Sequence, residues 1–312
     1  MILKQTTIVL GAGASMPYGM PSGTELRSLI CNNQAELARA LQEMHHIEAG
    51  DTINFIENFS RSNVASIDAF LSRHERFFEI GKLCIAAILC AKEDPAKVMN
   101  NDAEDHWYQH MWQILIDGAD THKDLLRNKI SFATFNYDRS LEYFLHQSTK
   151  HTFGVSDQEA FTVVKNLRIL HVYGLLGEFS YSPSQGARQY INDNTAAQTT
   201  IAAHGIKIIP EARANDVPFK TVRNWFCESE VIGFLGFGFD TLNVKRLGLS
   251  DVLDCNANEG RPNPIVIAST LGKRRAETEK IDQLLWPKSP AKFMRTLHLK
   301  NTMTIRESDL LG

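Results

Sequence analysis

The residues able to do chemistry in this chain lie in short clusters, each at or just after the end of an apolar run. The first is Gly11-Ala12-Gly13-Ala14-Ser15, following Thr7–Leu10. A glycine at Gly11 lets the chain turn sharply off a strand, and one at Gly13 leaves no side chain between the backbone and a pyrophosphate. The amides of the following helix can then face the ligand's negative charge. The later clusters are Phe135-Asn136-Tyr137-Asp138, Leu170-His171-Val172-Tyr173-Gly174, Gly236-Phe237-Gly238-Phe239-Asp240 and Ser269-Thr270. An imidazole titrating near neutrality supplies a general base, and a carboxamide that both donates and accepts can hold a ribose hydroxyl or a water. Each cluster also has an ordinary structural use. Asn136 and Asp138 can end a strand and cap the helical stretch RSLEYFL. His171 can be a satisfied core histidine, and Gly236 and Gly238 can serve close packing. Their combination points to a bound nucleotide.

Hydride transfer is poorly supported. A dehydrogenase fingerprint places a third glycine where this chain has Met16, and an acidic residue about 20 residues on at the tip of the next strand. That region reads LRSLICNNQAELARALQEM, whose apolar spacing is helical, and Glu36 lies inside it.

The elements that must position these clusters follow from the pattern of apolar runs. Thr7–Leu10, Ile130–Thr134, Leu167–Val172, Val231–Phe237 and Pro264–Ser269 are short and rich in branched and aromatic residues. Separated by helical stretches, they predict the strands of a parallel sheet covered on both faces. Open sheets of this kind bind ligands beyond the carboxyl ends of their strands, where all five clusters fall. Between the first two runs, Ala38–His46, Ile67–Ile80, Leu83–Ala91 and His106–Ile116 carry apolar residues at intervals of three and four. The expected architecture is α/β: one domain over residues 1–312, a doubly wound, Rossmann-like parallel sheet with a helical insertion at about 38–125. Residues 180–205 are polar and turn-rich and read as a surface excursion.

At 312 residues, 43% hydrophobic and 22% charged, the chain has the composition of an ordinary globular protein. A formal net charge of −3 gives no support for a sequence-wide nucleic-acid or membrane surface, and Lys273, Arg274 and Arg275 read as a solvated helix face. The five cysteines are widely spread with no CxxC pair, which disfavours a zinc site and suits a reducing compartment. The apolar run before Ala12-Gly13-Ala14 is too short for a secretory signal, and Leu83–Ala91 is too short to span a bilayer. A cytoplasmic protein is expected.

Taken in order, GAGAS followed by P-S-G, then F-N-Y-D, L-H-V-Y-G and G-F-G-F-D, resemble the sirtuin-like superfamily. Within it the chain is most similar to the bacterial sirtuin-like NAD-consuming proteins of anti-phage defence. Ser66-Ile67-Asp68-Ala69-Phe70-Leu71 also resembles a recurrent helical motif of that group. The resemblance covers about residues 5 to 275. It implies that NAD is bound as substrate, with Gly11, Ala12, Gly13 and Ser15 along its pyrophosphate. It puts Asn136 and Asp138 beside the nicotinamide ribose, and makes His171 the catalytic histidine with Asn136. Gly236, Gly238 and Asp240 would form a second nucleotide-binding turn, and Ser269 and Thr270 would approach the adenosine. Two departures from the deacylases of the superfamily stand out. The paired CxxC motifs that hold zinc are missing, and Gly19-Met20-Pro21-Ser22-Gly23 replaces a G-I-P-D-F-R pattern. Both favour plain cleavage of NAD, without a metal, over removal of acyl groups from lysine.

Cleavage of the nicotinamide–ribose bond passes through an oxocarbenium-like state, with His171 as the natural base and Asn136 holding the ribose or the attacking water. The alternatives are a zinc-free deacylase or ADP-ribosyl transferase, and a non-catalytic module that binds NAD or ADP-ribose. The resemblance further implies that so destructive an activity is gated, by self-assembly into a homo-oligomer or by a separate sensor such as an Argonaute-type protein or a motor ATPase. No direct contact with nucleic acid is expected.

Overall fold

A computed structural model describes the chain apart from residues 101, 103, 183–185, 209–210, 212–213, 286–293 and 309, with residues 294–296 described in backbone only. Its main sheet contains β1 (Thr6–Leu10), β2 (Ile130–Thr134), β3 (Arg168–His171), β6 (Val231–Leu235), β7 (Ile265–Ser269) and β8 (Met294–Leu297). A separate two-stranded pairing joins β4 (Glu178–Phe179) and β5 (Ala187–Arg188). The main sheet runs β3-β2-β1-β6-β7-β8, with every pairing parallel. Counted within that sheet, this is the 3-2-1-4-5-6 order of a doubly wound Rossmann-like fold. The chain is an α/β protein of that architecture. β1, β2 and β6 are buried along their whole length, as expected of strands covered on both faces.

The register aligns the functional tips. Leu10 pairs with Thr134 on one side and Leu235 on the other, and Thr134 pairs with His171. The order reverses at β1, whose neighbours β2 and β6 lead outward in opposite directions, so the switch-point crevice opens over the glycine turn.

The stretch between β1 and β2 is helical, from Gly23–Asn32, Gln34–His45 and Ala49–Arg61 to Phe78–Cys90 and Trp107–Ile116. The stretch expected at Ala38–His46 begins earlier, as Gln34–His45, and the largest shift falls between residues 67 and 91. The apolar spacing of Ile67–Ile80 is divided between a short helix, Ile67–Leu71, and the start of Phe78–Cys90, with a 3-10 turn at Glu75–Phe77 between them. Phe78–Cys90 is buried on most sides rather than along one stripe. No described helix is long and apolar enough to cross a membrane. In Arg274 and Arg275 the expected solvated face is present: they are 89% and 93% exposed and pair with Glu277 and Glu279.

The expectation of a surface excursion over 180–205 is corrected, residues 183–185 lying outside the described set. Arg188, Tyr190 and Ala202 are buried, and the helix Ala196–Gly205 packs on Phe78–Cys90. Part of the reason is electrostatic. Glu93, fully buried, receives Arg139 in a two-pronged bond and Arg188 at 3.2 Å. The two guanidinium groups also donate to the carbonyls of Leu176, Arg188 and Gln189. Paired charge thereby draws part of a polar segment inward, together with the apolar burial of Tyr190, Ala202 and Ala203.

Candidate functional site

The glycine turn is built by the approach of two strand ends. Gly11 donates its N–H to Leu235 O and Gly13 to Gly236 O, at 3.1 and 3.0 Å. A Cβ on Gly11 would lie 2.6 Å from Gly236 O, and one on Gly13 would lie 2.8 Å from Gly236 Cα. Gly236 itself has φ +57°, and a Cβ there would fall 2.0 Å from Ala14 N. All three glycines therefore let backbone pass backbone between β1 and β6. The amides of Gly13 and Ala14 are engaged within the protein, on Gly236 O and Gly11 O respectively. Gly238 is different: it is exposed, and a side chain there would meet open space.

The carbonyls of the turn are held by side chains from distant segments. Asn136 Nδ2 donates to Gly11 O and to Ser15 Oγ, each at 2.9 Å. Asn301 Nδ2 reaches Gly13 O at 3.2 Å, and Trp107 Nε1 reaches Ala14 O at 2.8 Å. Ser15 is buried, while Ala12 and Gly13 are partly open. Asn301 begins the helix Asn301–Glu307, whose first amides are taken by the Asp105 carboxylate.

His171 joins this arrangement through the backbone of Asn136. Its Nδ1 lies 2.8 Å from Asn136 O and its Nε2 2.6 Å from Glu142 Oε1. Burial pulls the imidazole pKa down, but the Glu142 carboxylate outweighs it and leaves His171 above the ordinary histidine value. Burial likewise pushes Glu142 up, and the imidazole beside it brings that carboxyl below its usual range. His171 and Glu142 also line a cavity of about 330 Å³ at the outer edge of β3.

The remaining expected site residues divide. Asp138 is buried, and its Oδ1 accepts the N–H and hydroxyl of Ser140 at the start of helix Ser140–Phe153. Asp240 is exposed and caps helix Thr241–Leu247 by accepting from Leu242 N and Asn243 N. Both acids thus serve as helix-start acceptors while standing at strand tips. Ser269 and Thr270, expected near the adenosine, stand at the tip of β7 with polar groups engaged inside the protein. Both are buried; Ser269 Oγ donates to Leu299 O at 2.7 Å, and Thr270 N to Leu297 O at 2.8 Å, in the continuation of β8. A strand absent from the sequence reading claims their polar atoms.

Three side chains of the site were not singled out from sequence: Glu142, Asn301 and Trp107. Glu142 falls in a helical stretch like any other glutamate, and Asn301 lies far along the chain from the glycine turn. Asp68 was noted only within its motif, and the structure gives it a contact. Ser66 caps helix Ile67–Leu71, and Asp68 Oδ1 accepts the Tyr137 hydroxyl at 3.1 Å. The Ser66–Leu71 motif is thereby fastened to the Phe135–Asp138 motif. Burial pushes the Asp68 carboxyl up to about 6.

The fold and these strand tips define a Rossmann-like α/β protein whose candidate site joins the ends of β1, β2, β3 and β6. No protein-family model matches the chain, and no curated protein is significantly similar to it.

Proposed function

We propose that the protein is a sirtuin-like NAD hydrolase that cleaves the nicotinamide–ribose bond of NAD. The observation that carries the reading is the contact chain from the glycine turn through Asn136 to His171. The Asn136 carboxamide touches the turn at the switch point, where open α/β sheets receive nucleotides, and its backbone carbonyl meets the His171 ring from the neighbouring strand. The reaction needs an oriented ribose, exclusion of competing poses and a group that accepts a proton as water or a ribose hydroxyl attacks. His171 is the base of this reading. Asn136 orients the ribose side, and the turn formed by Gly11, Gly13, Ser15 and Gly236, with exposed Gly238, borders the dinucleotide. A gated role in anti-phage defence, with an oligomer or a separate sensor protein as the gate, extends the same reading and rests on the resemblance of the motifs alone.

Purified protein incubated with NAD tests this directly, with nicotinamide and ADP-ribose, linear or cyclised, as the expected products. His171→Ala and Asn136→Ala each lower turnover by about two to four orders of magnitude, the range for acid–base and positioning groups. Unchanged turnover in both variants defeats the assignment.

One observation favours a second reading, a module that binds the nucleotide without cleaving it. Both ring nitrogens of His171 and the amide group of Asn136 are engaged within the protein. On that reading NAD raises the melting temperature and is recovered intact.

A further inference from the structure

Glu142 occupies a buried position in helix Ser140–Phe153, among the buried side chains of Leu141, Phe144 and Leu145. Packing alone favours an apolar residue there, because a buried carboxylate is costly unless all its oxygens are satisfied. Glu142 is only half satisfied: Oε1 meets His171 Nε2 at 2.6 Å, while Oε2 is buried with no hydrogen-bond partner.

The other side of the imidazole fixes what Glu142 can do. Nδ1 faces Asn136 O, and a carbonyl can only accept, so Nδ1 carries a hydrogen. Nε2 is then the nitrogen that gains or loses a proton, and the group against it is Glu142. We propose that Glu142 is a positioning residue of this site: with Asn136 O fixing the hydrogen on Nδ1, it grips the His171 ring by Nε2 and governs when the imidazole becomes a free base. The inference rests on the NAD-cleavage reading for its consequence in turnover, but the Glu142–His171 coupling stands on geometry alone.

The surroundings are consistent with a carboxylate-controlled imidazole. Asp138 lies near enough to favour the imidazolium, and Arg139 near enough to favour the Glu142 carboxylate. Lys165 and Glu178, which share the edge cavity, neutralise each other at 2.8 Å. The cavity itself, about 330 Å³, is ample for water beside the ring. While the pair is ionised His171 cannot act as a base, so the base-dependent rate must rise only as the pair loses its proton at higher pH.

The test is a pH titration of the His171 ring nitrogens by ¹⁵N-detected NMR in the full chain, wild type and Glu142→Gln. The expected wild-type ring stays doubly protonated above the ordinary histidine range. In Glu142→Gln its midpoint falls by about one to three units, the usual effect of removing an adjacent opposite charge. A neutral wild-type ring at pH 7 overturns the proposal without any variant, as does an unchanged midpoint in a folded Glu142→Gln. In the kinetic arm, Glu142→Gln moves the acid limb of the kcat profile for NAD to lower pH and leaves KM within about twofold. An unmoved limb in an active variant also overturns it. Failure of wild-type protein to cleave NAD registers against the parent reading before any variant is made, and leaves the NMR arm to decide the coupling.

Discussion

Asn136, at the end of β2, donates its side-chain amide to the carbonyl of Gly11, at the end of β1 and 125 residues earlier, over 2.9 Å. The same nitrogen reaches Ser15 Oγ at equal distance, so one side chain fixes both ends of the glycine turn. Its backbone carbonyl meanwhile receives the His171 ring. Three strand tips are thus tied at one residue, and disturbing it alters the shape of the turn as well as any chemistry.

Asn136→Asp is therefore expected to cost stability, not only turnover. A carboxylate presents an acceptor to Gly11 O, itself an acceptor, and leaves that carbonyl without its partner. The expected loss is about 1–3 kcal/mol, the cost of stranding a polar group that is mostly out of water. Urea unfolding of the variant at neutral pH measures it, and a wild-type midpoint contradicts the role given to the amide.

The meeting of the two glycine turns predicts a contrast between neighbours. Gly236→Ala places a Cβ 2.0 Å from Ala14 N at a positive φ, and either the β1 or the β6 turn must move. Left-handed strain and overpacking together amount to about 2–5 kcal/mol. Gly238→Ala meets open space and is expected to stay within about 0.5 kcal/mol of wild type. Thermal melts of the two variants side by side check this, and equal melting temperatures contradict the close approach.

How much of this arrangement was legible in the sequence depended on whether a signal was local. The strands around Thr6–Leu10, Ile130–Thr134 and Val231–Leu235 stood out because buried parallel strands are nearly continuous apolar runs. The polar residues at their tips were legible for the same reason, standing at or just after the ends of those runs. The strand Met294–Leu297 has no such signature, and it is this strand's continuation that takes the polar atoms of Ser269 and Thr270. Residues 180–205 misled because composition measures transfer from water and not charge pairing. Arg188 is buried through Glu93, 95 residues earlier, and no local pattern records that. Glu142 was missed likewise, since its meaning lies in a histidine 29 residues away on an edge strand. The glycine turn is legible as such, but the close approach of Gly236 to Gly11 and Gly13 joins segments more than 200 residues apart and has no local signal.

Asp68 predicts a pH dependence of stability. Its folded carboxyl is raised to about 6 from an ordinary value of 3.8, so the folded state holds its proton where the unfolded state has lost it. The stabilisation associated with the protonated form is complete below the unfolded value and is lost as pH rises through about 6. Asp68→Asn keeps an acceptor for the Tyr137 hydroxyl and removes the titration. Between pH 4 and 7 its stability relative to wild type is expected to rise, as followed by denaturant midpoints across that range. A difference that does not change with pH contradicts the burial assigned to Asp68.

The Glu93–Arg139–Arg188 cluster joins three segments and is fully buried. Removing one charge leaves the others uncompensated, so Glu93→Gln is expected to lose about 3–5 kcal/mol. Limited proteolysis offers a local readout: cleavage between residues 176 and 195 is expected to accelerate in the variant, and an unchanged cleavage pattern with an unchanged melt contradicts the clamp.

The central claim is that a sugar–nicotinamide bond is broken beside the imidazole of His171. Chromatography of NAD after incubation with the purified wild-type chain and with His171→Ala measures it most directly. Free nicotinamide is expected with the wild type, with a loss of about two to four orders of magnitude in the variant. NAD that binds, raises the melting temperature and is recovered uncleaved from both proteins contradicts it.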